Sequence, residues 1–205
     1  MATTVADDAA SVEPTDVDPF RRRLLDGLAA SITERGYRAS TVADIVRHAR
    51  TSKRTFYDHY ASKEQCFLEL LLADNEKLGE SIRAAVDPEA DWHLQIRHAV
   101  EAYVKTIEAR PAVTLSWIRE LPSLGDAARP VQRRGLELLS SLLIDLSASP
   151  GFRRAELSPL TAPLAVILLG GLRELTALAV EDGHSMREIV EPAVHASVAL
   201  LGYRR

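Results

Sequence analysis

Apolar residues recur at intervals of three or four along most of this chain, and this spacing restricts what the chain can fold into. Phe20, Leu24, Leu25, Leu28 and Ile32 begin the pattern, which places them on one face of an α-helix. In half-buried strands Val and Ile alternate with polar residues, and that alternation is rare in this chain. Apolar residues make up 46% of the chain and aromatic ones only 5%. The sequence therefore predicts an all-α fold with an aliphatic core.

Capping residues and helix breakers divide this pattern into separate helices. Asp18 and Pro19 suit the start of the first helix, and Gly36 suits its end. Pro150 and Gly151 predict a loop late in the chain. The helices are expected at about 20–36, from 40 or 41 to 48, at 52–60, from 63 to beyond 78, and then at 92–109, 111–120, 130–147, 159–181 and 185–202.

Charge is distributed unevenly along the chain. Between Pro19 and Cys66 there are ten basic and five acidic side chains, a net charge of +5, so the rest carries −9 of the total of −4. A small basic module on an acidic body is typical of a DNA-binding head, with chance clustering of solvated charge as the alternative. Residues 1–18 are acidic and poor in apolar side chains. We expect them to form a disordered tail with no role in DNA contact.

Residues 41–64 carry the pattern of a helix-turn-helix, in which two short helices are joined by about three residues. The second helix of such a unit lies in the major groove. Phe56 and Tyr60 are four residues apart and share its apolar face, so at about 100° per residue the opposite face points outward. That outward face is expected to read bases, through Arg54 to guanine and Asp58 to cytosine, flanked by Thr55 and by Tyr57, which suits a phosphate or a thymine methyl.

A second set of side chains suits the DNA backbone rather than the bases. Hydroxyl groups at helix starts lie beside free N–H groups and form sites for anions, and cations near them add affinity without sequence information. For any one of these residues, simple helix capping or a solvated surface position is the alternative reading. The predicted phosphate contacts are Thr41, Ser52, Lys53, His59 and Lys63.

These motifs resemble the DNA-binding signature of the tetracycline-repressor (TetR-type) family of transcriptional regulators. The resemblance rests on residues 41–45 (TVADI), the turn at 49–53 (ARTSK), and residues 56–60 (FYDHY) followed by Ser62, Lys63 and Glu64. It extends over about residues 20–72. Two positions depart from the family, which often has Gly where Arg50 and Arg54 stand here. Arg50 in a left-handed turn costs about 1 kcal/mol.

The resemblance implies a DNA-binding domain at 19–64 and a larger helical effector-binding and dimerisation domain at 65–205. In the family the last two helices pair with their copies in a second subunit; packing inside one subunit is the alternative for these apolar stripes. The implied interface residues are Leu164, Ile167, Leu168, Gly171, Leu172, Leu175, Val190, Val194, Val198 and Leu201. The implied pocket for an apolar effector is lined by Tyr103, Trp117, Leu121 and Arg173, with His98, Arg119 and Glu120 as polar contacts.

Other functional classes find little support in the sequence. The single cysteine, Cys66, lies in an apolar run, the histidines lack zinc-ligand spacing, and no phosphate loop or serine elbow is present. We therefore expect no enzyme, no metal and no cofactor. The acidic start and the short apolar run at 164–172 indicate neither a signal peptide nor a membrane span, so we expect a cytoplasmic protein.

The sequence thus predicts a homodimeric regulator, a repressor that a small molecule releases from a palindromic operator. Three alternatives stay open: an activator, an architectural DNA binder without an effector, and a helical ligand-binding or interaction protein.

Overall fold

The computed structural model describes residues 18–202, which form helices joined by short connections. Within these residues there is no strand, which confirms the all-α prediction. The predicted disordered tail lies outside the described residues except for Asp18. The helices are α1 (Pro19–Ala39), α2 (Val42–His48), α3 (Lys53–His59), α4 (Lys63–Ala85), α5 (Trp92–Ala109), α6 (Pro111–Arg119), α7 (Arg129–Ser147), α8 (Pro150–Arg154), α9 (Ala162–Glu181) and α10 (Val190–Leu201), with 3₁₀ turns at Leu121–Ala127 and Met186–Ile189.

Local hydrogen bonds explain why the N-terminal helices begin and end where the sequence indicates. The Asp18 carboxylate accepts from the backbone N–H of Phe20 and starts α1. Gly36 has φ of 78°, so regular α-helical geometry is interrupted there, as expected for glycine. Thr41 and Asp44 form a capping box for α2, each side chain accepting from the other residue's backbone N–H. Short-range capping therefore determines this part of the fold.

The helices α1 to α4 share one core with part of the body. Leu28 from α1, Ile45 from α2, Phe56 from α3 and Phe67 from α4 are all fully buried in it, together with Leu121 from the body. Moreover, α4 runs without interruption across the predicted boundary between residues 64 and 65. A movement of α4 therefore displaces the N-terminal helices directly.

The body departs from the sequence prediction at α8, where a loop was expected. Phe152 on this short helix is buried against Ile96 and Val194, so burial of one aromatic side chain draws the segment into a helical turn. The buried Gln95 amide donates to the carbonyls of Pro88 and Ala90 and accepts from the Ser149 hydroxyl. These contacts connect sequence-distant segments and are not visible in a local pattern.

Some of the residues predicted to form the dimer interface on the last two helices face the interior of the subunit instead. Leu168 and Val194 are each only 6% exposed and pack inside the subunit, so neither is available to a partner. Leu172, Leu175, Val190, Val198 and Leu201 are partly buried against the same internal clusters. Of the predicted set, only Ile167 (60% exposed) and Gly171 lie open, while Leu164 is half-buried.

An exposed face of α9 and α10 remains uncovered within the subunit. It consists of Pro163, Ile167, Gly171 and Leu178 on α9, and Pro192, His195, Ala196 and Ala199 on α10. By length and composition α9 is also apolar enough to cross a bilayer, which the short run at 164–172 did not predict, although only 28% of its apolar window is buried. An apolar, largely uncovered helix is typical of a surface that binds a partner.

Candidate functional site

The helix α3 presents a polar face to solvent and an aromatic face to the core. Phe56 and Tyr60 are 0% and 1% exposed, whereas Tyr57 is 58% exposed. The Ser52 hydroxyl accepts from the backbone N–H of Thr55 and starts the helix. The structure therefore supports the helix from behind and leaves its N-terminal turn accessible, which is the arrangement that groove reading requires.

The turn between α2 and α3 adopts the left-handed backbone that the sequence indicated at Arg50, whose φ is 50°. The Arg23 guanidinium, on α1, donates to the carbonyl oxygens of Ala49 and Arg50 at 2.6 and 2.8 Å. The backbone N–H of Thr51 donates to the Val46 carbonyl at 3.0 Å. These bonds hold the turn in place although a non-glycine residue occupies the unfavourable conformation.

Most of the predicted DNA contacts lie on one surface. Ser52, Lys53, Arg54, Tyr57 and Asp58 are exposed, and Thr55 is half-buried beside them. Thr41 is exposed at the start of α2, where its hydroxyl donates to the Asp44 carboxylate at 2.6 Å.

Two predicted phosphate contacts are instead engaged within the protein. The Lys63 ammonium donates to the carbonyl oxygens of Tyr37 and Ser40 at 3.1 and 2.9 Å and lies 4.3 Å from the centre of the Tyr37 ring. The His59 ring lies 3.4 Å from the Asp18 carboxylate. Lys63 is therefore not a free phosphate contact. Its ammonium group binds the start of α4 to the C-terminal end of α1, where carbonyl oxygens attract a cation.

A cavity of about 1150 Å³ lies among α4, α5, α6, α7 and α9. Four of the predicted pocket residues line it: Tyr103, Trp117, Leu121 and Arg173. Burial raises the pKa of Tyr103 to about 12, so its hydroxyl, 2.7 Å from that of Thr176, stays neutral. Most of the remaining apolar lining is supplied by Leu71, Leu78, Ile107, Val113, Ile118, Leu136, Leu139, Val166, Leu169 and Leu172.

Three predicted polar contacts do not line the cavity. Arg119 is bound by Glu174 and Glu181 on the outside of α9, at 2.8 and 2.7 Å. Glu120 accepts from Arg38 at 2.8 Å, and His98 is absent from the lining. Arg119 and Glu120 closely follow Trp117, and His98 shares α5 with Tyr103, but the side chains of these three residues do not point into the cavity.

The polar lining of the cavity is predominantly basic. Of residues 18–202, six cationic side chains reach it and only one carboxylate, that of Asp74. Among the described residues, no carboxylate lies within ion-pair distance of Lys77, Lys105 or Arg133. The cations are Lys77, Lys105, Arg110, Arg129, Arg133 and Arg173.

Sequence reasoning missed five of these six cations, but a weak signal for two of them exists on α7. Arg129, Gln132, Arg133 and Leu136 follow helical spacing on one face, and such a mixed face is ordinarily assigned to solvent. Within residues 18–202 no group of His, Cys, Asp and Glu lies close enough together to hold a metal ion.

Comparisons with known proteins agree with this geometry. Residues 24–70 match the family described as bacterial regulatory proteins, tetR family. The chain is 32% identical over 91 residues to the HTH-type transcriptional activator FasR of Mycolicibacterium smegmatis, covering 44% of this chain and 42% of that one. It is 33% identical over 113 residues to the HTH-type transcriptional repressor KstR2 of Mycobacterium tuberculosis, covering 55% and 56%. The chain thus spans about half the length of these curated relatives.

Solved structures share the fold over most of the chain. The transcriptional regulator FadR from Bacillus subtilis, in complex with stearoyl-CoA, has a TM-score of 0.74 at 15% identity, covering 89% of this chain and 99% of that one. The fatty acid degradation regulator FadR from Bacillus halodurans has a TM-score of 0.71 at 22% identity, covering 89% and 95%.

Proposed function

We propose that the protein is a transcriptional regulator whose binding to an operator is controlled by a small molecule. The match of residues 24–70 to the tetR family of bacterial regulatory proteins supports this proposal. The observation that carries this proposal is the exposed polar face of α3 backed by the buried Phe56 and Tyr60. The proposal assigns the protein no catalytic role, and it acts in the cytoplasm, where the DNA is.

On this proposal α3 enters the major groove by its N-terminal turn. Arg54 binds a guanine edge and Asp58 accepts from a cytosine amino group, while Tyr57 contacts a phosphate or a thymine methyl. Thr55 lies beside them. Thr41, Ser52 and Lys53 bind phosphates and set the register of the helix on the duplex.

A second copy of the chain covers the exposed face of α9 and α10. Two recognition helices related by a two-fold axis then read half-sites about 34 Å apart, which accounts for a palindromic operator. The small residues Gly171, Ala196 and Ala199 allow the helices of the two subunits to approach closely. The working division is a DNA-binding domain at 19–64 and an effector-binding and dimerisation domain at 65–205.

The cavity holds the effector, and its lining supports an amphipathic ligand. Its volume of about 1150 Å³ exceeds the upper range of about 1,000 Å³ typical of small-molecule pockets. An apolar wall suits a long hydrocarbon chain. The cations of the lining suit phosphate groups, above all Lys77, Lys105 and Arg133, which have no carboxylate within ion-pair distance among the described residues. An acyl-coenzyme A meets both requirements, and the similar FadR from Bacillus subtilis binds one, stearoyl-CoA.

Ligand binding releases the operator by favouring a conformer in which α4 shifts. Since α4 both lines the cavity, through Leu71 and Leu78, and begins beside the recognition helix, its movement changes the spacing of the two α3 helices. The size of the effect is limited by the difference in ligand affinity between the two conformers.

The test is a footprint on the DNA that flanks the protein's own gene, with and without stearoyl-CoA. We expect a protected palindrome that is lost when the ligand is added. Tyr57→Ala and Lys53→Ala are expected to weaken binding, and Lys53→Ala to lower the slope of log affinity against log salt by about one.

Arg134→Ala is the matched control, because it removes an exposed cation of the body and should leave DNA affinity unchanged. Protection that no ligand alters would indicate an architectural DNA binder. Equal affinity of wild type, Lys53→Ala and Tyr57→Ala for the same DNA would contradict the assigned recognition surface.

A further inference from the structure

Arg110 lies at the junction of α5 and α6 and contacts three parts of the molecule at once. Its guanidinium donates to the Asp26 carboxylate on α1 at 2.7 Å and to the Asp74 carboxylate on α4 at 3.4 Å. The same side chain lines the cavity and is about one-third exposed. One cation therefore connects the cavity, the helix α4, which follows α3 in the chain, and the outer face of α1.

A second ion pair joins the other end of the same region. Arg38, on the last turn of α1, lies 2.8 Å from Glu120, directly after α6. Neither Arg38 nor Glu120 lines the cavity. Both ion pairs join α1 to one end of α6, but only Arg110 lines the cavity and can reach a bound ligand.

Arg110 shares its positive charge between two carboxylates, those of Asp26 and Asp74. Asp74 lines the cavity, and its burial raises the pKa of the carboxyl group. Lys77 lies on the same helix and also lines the cavity, and within the part of the chain that the structure describes no other carboxylate reaches the lining. An anionic ligand group entering here meets a cation already shared between α1 and α4.

We propose that Arg110 binds the anionic group of the effector and that this contact competes with its ion pair to Asp26. This inference rests on the proposed function, whose effector it connects to the DNA-binding helices. When the ligand takes the guanidinium, α1 loses its attachment to the start of α6, and the helices packed on α1 are freed to move. Arg110 is then a positioning residue as well as a ligand contact.

If the ligand competes with Asp26 for Arg110, then substituting Arg110 and substituting Asp26 should change the affinity for stearoyl-CoA in opposite directions. Arg110→Gln removes the ligand contact and should weaken binding of stearoyl-CoA about tenfold, because charge-assisted hydrogen bonds are the strong ones. Asp26→Asn leaves the cavity intact and removes the competitor, so it should tighten binding about threefold, the scale of an exposed ion pair. Arg38→Gln is the control and should leave the affinity unchanged.

The measurement is titration of each purified variant with stearoyl-CoA, followed by the quenching of tryptophan fluorescence, since Trp117 lines the cavity and the other tryptophan, Trp92, does not. Melting temperatures recorded in parallel verify that each variant is folded. The same variants are then tested for ligand-induced release of DNA. Asp26→Asn should bind DNA more weakly than wild type without ligand and lose less affinity when stearoyl-CoA is added, because its α1 attachment is already absent.

Changes of the same sign in Asp26→Asn and Arg110→Gln, or no change in either, would overturn the inference and indicate an ion pair with a structural role only. If Arg110→Gln fails to fold, the direction of change in Asp26→Asn decides alone. Absence of saturable stearoyl-CoA binding to the wild type also overturns the inference. The proposed regulator function is tested separately, by footprinting without ligand, so the two can fail independently.

Discussion

Replacing Gly27 with alanine tests how α1 holds the helix-turn-helix. A Cβ at this position would lie 2.6 Å from the carbonyl oxygen of Ile45 and 3.0 Å from the backbone N of Ala49. Neither atom moves easily, because the Ala49 N–H donates to that same Ile45 oxygen at 2.8 Å. The substitution therefore forces α2 away from α1, and α3 moves with it.

The expected magnitude follows from two opposing effects. Alanine is favoured over glycine inside a helix by about 1 kcal/mol, whereas overpacking costs about 1–3 kcal/mol and occasionally more. Since the obstacle is backbone, we expect the upper end of that range and a net loss of about 2 kcal/mol in the free energy of unfolding. For a chain of this size that corresponds to a decrease in Tm of about 4–8 °C. DNA affinity should decrease as well.

The assay is urea denaturation followed by far-UV circular dichroism at one fixed protein concentration, because the stability of an oligomer depends on concentration. The matched control is Gly170→Ala, since a Cβ on Gly170 meets no atom within 4 Å. We expect that control to be as stable as wild type or slightly more so. If Gly27→Ala equals the control in stability and keeps full DNA affinity, the close packing of α1 on α2 is not as described.

Two further predictions concern titratable groups. Hydrogen bonds from Arg47, Arg35 and His48 lower the pKa of Glu34 from 4.5 to about 2. Because a lowered carboxyl pKa stabilises the folded state only above the unfolded pKa, the stability difference between wild type and Glu34→Gln should shrink as the pH falls from 4.5 to about 2; a difference that is constant over that range would contradict this. Burial raises the pKa of Cys66 to about 12, so iodoacetamide at pH 8 should label it only after unfolding, and stoichiometric labelling of the folded protein would show that the thiol is accessible.

Local sequence determined the four N-terminal helices of this protein to a large extent. Asp18, Thr41, Ser52 and Ser62 each accept from a backbone N–H at the start of the next helix, so the boundaries of α1 to α4 follow from single side chains. The alternation of buried and exposed residues on α3 follows from helical periodicity alone. The recognition surface was therefore predictable, whereas its binding to DNA stays a prediction.

Only the tertiary structure decided which polar side chains of the body reach the cavity. Arg119 and Glu120 are adjacent to the α6 residues that line it, yet their partners Glu174 and Arg38 are 55 and 82 residues away in sequence. Lys63 carries the charge expected of a phosphate contact but is bound to carbonyls of α1. The sequence shows which side chains share one face of a helix, but it does not show which charged residue from a distant part of the chain lies opposite that face.

The same reasoning applies to the last two helices. An apolar helix predicts burial, but whether its stripe packs inside the subunit or on a partner depends on how α5, α7 and α8 are placed around it. Leu168 and Val194 were resolved in this way as internal, and Ile167 as exposed. Helix ends depend on hydrogen bonds to residues within four positions, which the sequence displays, whereas cavities and interfaces depend on the relative rotation of whole helices, which only packing determines.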